Sequence, residues 1–212
     1  MTARILQDIT CRSIAGGETT STTLQWWVLA MLAYPEVQNR AHAELLEVVG
    51  SARPPTFADL ASLPYICAMV KDTLRWSLTA PFGVPHASSG RLVRGLVYTQ
   101  GQICLPNMWV INSETDVFGH DAAQFNPARY LNEDSVKILD GRTEGHTSFG
   151  FGRRICPGRY VAENTLAIDF ATLLWAMQFE RPDGVQAELD VRTVVMGGAI
   201  TAYVVFASLC AY

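Results

Sequence analysis

The chain has 212 residues, enough for one large domain or two small ones with a real core, and its 49% apolar and 17% charged residues are globular usage, not disorder. A formal net charge of -4 argues against nucleic acid as a partner, which would call for a clustered basic surface. Five cysteines (Cys11, Cys67, Cys104, Cys156 and Cys210) include no C-x-x-C pair, which argues against a disulfide framework or a zinc site and fits a reducing compartment.

Taken in chain order, the opening residues carry no apolar run of the kind a secretory signal needs. Ile5, Ile9, Ile14, Leu24, Val28 and Leu32 fall near helical spacing, which predicts a long helix to about Ala33. Pro35 opens a second helix through Val49, with Glu36, Arg40, Glu44 and Glu47 on its wet side. A loop over Gly50 to Pro55 leads to a third helix from about Pro64 to Leu78, stopped by Pro81. From Phe82 to Ile111, β-branched and aromatic residues broken by glycines predict a small sheet of short strands. Ser113 to Gly145 reads as irregular, with short helical turns. Pro157 to Met177 reads as a helix with an apolar stripe of Leu166, Phe170, Leu173, Leu174 and Met177. The tail from Glu188 reads as β. Thr193 to Tyr212 is uncharged and long enough to span a bilayer, but Gly197-Gly198 interrupts it, so two buried strands joined by a glycine turn are expected. The fold class expected is mainly α with a small β-sheet.

The segment Phe149-Gly-Phe-Gly-Arg-Arg-Ile-Cys156-Pro-Gly158 is the most informative in the chain. Glycines at 150, 152 and 158 let the backbone bend tightly and come close to something flat and bulky. Cys156 precedes a helix whose first residue is expected to be Pro157, so its sulfur lies in the positive field of unpaired N–H groups. Arg153 and Arg154 add to that field, and together these effects favour the thiolate an axial metal ligand requires. A cysteine after a glycine loop is also the ordinary setting of a buried structural thiol. The residues alone leave both open.

Three further constellations stand out. Ala15-Gly-Gly-Glu18-Thr19-Thr20 places two glycines mid-helix, at a cost of about 1 kcal/mol each, which suggests a local opening of the helix. Glu18 and Thr19 there make a possible proton relay, or else a kinked helix with a solvated carboxylate. Asp72 and Arg75 are spaced to pair on one helix face, and Arg129 in Phe125-Asn-Pro-Ala-Arg129-Tyr130 is the candidate second arginine. His86, after Pro85, opens the small sheet.

The cysteine segment resembles the haem-binding signature of the cytochrome P-450 family, F-x-x-G-x-R-x-C-x-G, at every fixed position: Phe149, Gly152, Arg154, Cys156 and Gly158. The glycine-rich helix segment resembles that family's A-G-x-[DE]-T-[TS] oxygen-activation motif. Asp72-Thr-Leu-Arg75 and Phe125 to Arg129 resemble its E-x-x-R and F-x-P-x-R motifs. Cys156-Pro-Gly-Arg-Tyr-Val-Ala-Glu-Asn resembles fungal members in particular. The resemblance covers residues 10 to 180 or so, and one position departs from it. Asp72 stands where the family has glutamate, one methylene shorter, so contact with both Arg75 and Arg129 is expected to need backbone adjustment.

The resemblance implies a cytochrome P-450 fold over 1–212, as the C-terminal half of a haem domain whose N-terminal half and membrane anchor are missing. The cofactor implied is haem b (iron protoporphyrin IX), with Cys156 as axial iron ligand and Arg154 on a haem propionate. Phe149 would pack near the sulfur, Gly150 and Gly158 would let the backbone approach, and His86 would contact a propionate. Glu18 and Thr19 would deliver protons, while Asp72, Arg75 and Arg129 would lock the cysteine-bearing loop. The activity implied is monooxygenation of a small apolar organic substrate with O2. Electrons would come from NADPH-cytochrome P-450 reductase, and the full-length parent would lie on the cytosolic face of the endoplasmic reticulum membrane. Ala80 to Val84 would border the substrate pocket. The alternative is a truncated, non-catalytic remnant that binds haem weakly or not at all.

Overall fold

The computed structural model describes residues 2–131, 145–180 and 208–209, with side chains from Gly16 onward in the first helix. Four helices form its body: α1 (Thr2–Ala33), α2 (Pro35–Val48), α3 (Pro64–Trp76) and α6 (Arg159–Ala176). Pro35 and Pro64 each occupy the first turn of their helix, where a missing N–H costs nothing. Between α3 and α6 the chain forms strands β1 (His86–Val93) and β2 (Leu96–Cys104), then the short helices α4 (Met108–Asn112) and α5 (Thr115–Phe118). After α6, β3 (Met177–Gln178) pairs antiparallel with β4 (Ser208–Leu209). The fold is mainly helical with small antiparallel sheets, as expected.

Several details differ from the sequence reading. In α1, Trp26, Trp27, Ala30 and Met31 are buried, whereas Leu24, Val28 and Leu32 only flank the core. Two adjacent tryptophans set the helix rotation, because the largest apolar surfaces gain most from burial. Trp27 stacks on Phe170 of α6, with centroids 4.1 Å apart and planes 9° from parallel. The helix runs on through Gly16-Gly17 without the expected opening. There, Thr20 and Thr23 bond their hydroxyls back to the carbonyls of Gly16 and Thr19 at 3.0 and 2.9 Å. Those hydroxyls keep the carbonyls satisfied within the helix.

Glu44 is not on a wet face. Its carboxylate accepts the backbone N–H groups of Tyr65 and Ile66, at 2.8 and 3.1 Å, and so caps the start of α3. Gln38 of α2 is also buried, with its amide accepting Phe179 N–H at 2.7 Å and donating to Phe179 C=O at 3.0 Å. These two side chains fasten α2 to α3 and to Phe179, the residue just after β3.

The sheet expected over Phe82 to Ile111 is a single hairpin, and α4 takes its last residues. Arg94 and Gly95, both at positive φ (47° and 80°), make the two-residue turn that suits strand twist. Helix α6 begins at Arg159 with Gly158 as its cap, two residues later than expected. Its buried line is Leu166, Ala167, Phe170, Ala171 and Leu174, with Leu173 and Met177 beside the core. Apart from β4, the strands expected in the tail lie outside the described residues. No described helix is long and apolar enough to cross a membrane.

A candidate haem-thiolate site

The cysteine loop is built by a tight reversal of backbone. Gly150 N–H bonds to Thr147 C=O at 2.8 Å, and Cys156 N–H bonds back to Phe149 C=O at 2.9 Å. Gly150 and Gly152 adopt φ of 79° and 57°, a region that side chains resist. A Cβ added at either would meet nothing within 4 Å, so both glycines face open space. Residues Gly152–Arg154 form a short 3-10 turn that leads to Cys156. The loop thus leaves open space beside Gly150 and Gly152, with Phe151, Arg153 and Arg154 exposed next to them.

Cys156 is a free, half-buried thiol. Arg153 and Arg154 are exposed on the same loop, and Phe149 is half-buried, in contact with the core. Arg159 donates weakly to Cys156 C=O at 3.5 Å and bonds the Tyr160 hydroxyl at 2.7 Å, with its guanidinium 4.2 Å from that ring. One sulfur as metal donor, an exposed arginine, an aromatic ring and open space beside two glycines fit a flat, anionic, iron-bearing macrocycle. The sulfur's setting is therefore compatible with haem.

Behind the loop lies a buried ionic cluster. Asp72, fully buried, accepts from Arg75 Nε at 2.6 Å through Oδ1, and the same oxygen lies 3.2 Å from Arg129 Nε. Its other oxygen accepts Asn126 N–H at 2.5 Å. The shorter carboxylate thus lies at ion-pair distance from both arginines after all, because the Phe125–Arg129 segment packs directly over α3. Arg75 spends its other donors on the carbonyls of Asn112, Ala122 and Gln124, at 3.1, 2.6 and 2.7 Å.

Asn112, which sequence reading missed, connects this cluster to the cysteine loop. Its Oδ1 accepts Thr147 N–H at 2.9 Å and Thr147 Oγ1–H at 2.8 Å, and its Nδ2 donates to Ser148 Oγ at 3.2 Å. Ser148 in turn donates to Leu74 C=O at 2.5 Å. A continuous bonded path therefore runs from Arg75 through Asn112 to Thr147 and Ser148, the residues that open the loop.

The structure gathers Phe149, Gly150, Arg154, Cys156 and Gly158 on one loop, and Asp72, Arg75 and Arg129 in one cluster behind it. It leaves Glu18 and Thr19 exposed on α1 and His86 exposed at the start of the hairpin, on elements separate from that loop. Thr19 is linked to the segment after α3. Its carbonyl accepts from Thr79 Oγ1 at 3.4 Å, and Thr79 lies 3.2 Å from the Thr23 hydroxyl.

The family described as Cytochrome P450 matches residues 3–200. A cytochrome P450 monooxygenase of Armillaria gallica is 48% identical over 199 residues, covering 91% of this chain and 38% of that protein. Cytochrome P450 monooxygenase 58 of Postia placenta is 42% identical over 173 residues, covering 80% of this chain and 33% of its own length. A cytochrome P450 monooxygenase of Amanita muscaria is 33% identical over 211 residues, covering 77% and 38%. The chain thus spans between a third and two fifths of the length of these fungal relatives.

Proposed function

The chain belongs to the cytochrome P450 family, and we propose that it is the C-terminal part of a haem-thiolate monooxygenase. On this reading the protein inserts one atom of O2 into a small organic substrate and releases the other as water. The observation that carries the reading is the half-buried thiol of Cys156, free, on a loop with open space beside Gly150 and Gly152. When bound, haem b supplies the oxygen chemistry, with the Cys156 thiolate holding its iron.

The roles of the chain's own residues follow. Arg154, exposed on the loop, offers a propionate a charged partner, and His86 offers another from the hairpin. Phe149 would pack against the haem near the sulfur. Gly150 and Gly158 allow close backbone approach. Glu18 and Thr19 would hold and pass protons on the distal side. Asp72, Arg75 and Arg129, with Asn112, hold the loop in register. NADPH-cytochrome P450 reductase is the proposed electron source, and the endoplasmic reticulum membrane the proposed site of the whole protein.

A second reading is a remnant that takes up haem weakly or not at all. One experiment separates the two. The chain is expressed with a haem precursor, reduced and exposed to carbon monoxide, and the Soret band is recorded. A long-wavelength, thiolate-type band that disappears in Cys156→Ala supports the haem-thiolate reading. Haem held equally well by Cys156→Ala would overturn it, and no uptake by the parent chain would favour the remnant.

A further inference from the structure

The buried cluster behind the cysteine loop contains two guanidiniums, and Asp72 does not serve them equally. Arg75 Nε makes a short, aligned bond to Oδ1. Arg129 Nε lies 3.2 Å from the same oxygen, within ion-pair range, yet it is buried and forms no hydrogen bond among the described residues. With both arginine side chains at most 11% exposed, one carboxylate would leave a net positive charge in a poorly solvated place. A second carboxylate is present. Asp121 accepts end-on from Arg129, Nη1 to Oδ1 at 3.2 Å and Nη2 to Oδ2 at 3.0 Å. Its Oδ2 also accepts Asn126 Nδ2 at 2.9 Å, beside the backbone N–H that Asp72 holds. Arg129 adds the carbonyls of Phe118 at 2.7 Å and Asp121 at 3.2 Å.

We propose that Asp121 is a positioning residue of the haem-thiolate site, the second carboxylate of a charge-balanced lock, which holds the Nη1 and Nη2 edge of Arg129 while Asp72 lies only at ion-pair distance from its Nε. Two carboxylates and two guanidiniums then sum to zero, and Asn126 bridges the carboxylates. The lock acts on Cys156 through Arg75, Asn112 and the Thr147–Ser148 bonds. The link to haem rests on the reading under Proposed function; the lock itself does not.

The test is a double-mutant cycle of the chain with Asp121→Asn, Asp72→Glu and both together. In the haem-free chain, urea unfolding reads the lock alone. Asp121→Asn should lower the folding equilibrium constant by about tenfold or more, as expected for a charged hydrogen-bonded partner. The same change in the Asp72→Glu background should cost under about threefold, because the longer carboxylate can align with Arg129 Nε. Equal losses in both backgrounds, or no loss in either, would overturn the proposal. If Asp121→Asn gives no folded chain, Asp121→Glu decides: folded protein supports the charge role, and unfolded protein overturns it. The carbon monoxide spectrum of the reconstituted chains is the second readout. Loss of the thiolate-type band in Asp121→Asn with its return in the double variant supports the positioning role. An unchanged band in Asp121→Asn overturns that role. A stability rescue with no haem in any chain, parent included, would leave the lock standing and count against the haem-thiolate reading.

Discussion

The carboxamide oxygen of Asn112 accepts two hydrogen bonds from Thr147, one from its backbone N–H and one from its hydroxyl. This pair, 35 residues apart in sequence, fixes the first residue of the bend that ends at Cys156. Asn112→Leu keeps the branched shape and removes both bonds to Thr147 and the one to Ser148 Oγ. Leaving buried polar groups unsatisfied costs about 1–3 kcal/mol each, partly offset where water can reach, so a net loss of about 2–3 kcal/mol is expected. Urea unfolding measures it. Amide exchange at Thr147 should accelerate more than exchange in α2, and equal acceleration at both would show a general loosening instead.

Gly145 and Tyr130 form a second tie between the Arg129 segment and the cysteine loop. Tyr130 donates its hydroxyl to Gly145 C=O at 2.9 Å, and its ring occupies the space a Cβ at 145 would need. Gly145 also sits at φ 76°. Gly145→Ala therefore combines a left-handed backbone with overpacking against an aromatic ring that burial holds in place, for a loss of about 2–4 kcal/mol. Tyr130→Phe, which keeps the ring and removes the hydroxyl, should cost only about 1 kcal/mol. Thermal unfolding of the two variants should separate them in that order.

Glu44 caps α3 from α2, and burial raises its carboxyl pKa against the opposing pull of the Tyr65 and Ile66 N–H groups. Glu44→Ala should lose about 1–2 kcal/mol by exposing unpaired donors at a helix start. Glu44→Gln keeps an acceptor oxygen and should lose less. Far-ultraviolet circular dichroism during urea unfolding measures both, and equal losses would show that the charge, not the cap, matters.

The cysteine loop was legible in the sequence because its information is local: glycine, arginine and cysteine at short spacing specify a bend and a thiol whatever surrounds them. The Asp72–Arg75 pair was legible for the same reason, being three residues apart on one helix. Its environment was not. The carbonyls of Ala122 and Gln124 that hold Arg75 carry no side-chain signal, and Asn112 and Asp121 are residue types that occur in any loop. Glu44 looked like one more charge on a solvated helix face, since nothing local shows that α3 starts beside it. The helix of α1 was legible from its spacing, but the deep burial of Trp26 and Trp27 was not, because spacing alone weighs leucine and tryptophan equally, whereas buried area does not.

His146, just before the loop, makes acid the condition that tests its anchoring. The ring is buried beside Phe149, with centroids 5.4 Å apart, and its Nδ1 accepts Ser148 N–H at 3.3 Å. Burial, with the Lys71 and Arg75 charges nearby, pushes its pKa down to about 3 from 6.5. The folded chain therefore holds His146 neutral, while the unfolded chain protonates it below pH 6.5. Its contribution is fully present above that pH and is lost as pH falls toward about 3, at no more than about 1.4 kcal/mol per unit. His42, also lowered by burial, adds loss of the same sign. Between pH 7 and about 5, where ordinary carboxylates are still mostly ionised, unfolding free energy should drop with acid in the parent chain and drop distinctly less in His146→Phe, which fills the same space without a titrating nitrogen. Equal slopes for the two would mean that His146 is solvated and free to take a proton in the folded state, and that the loop's first turn is looser than its hydrogen bonds imply.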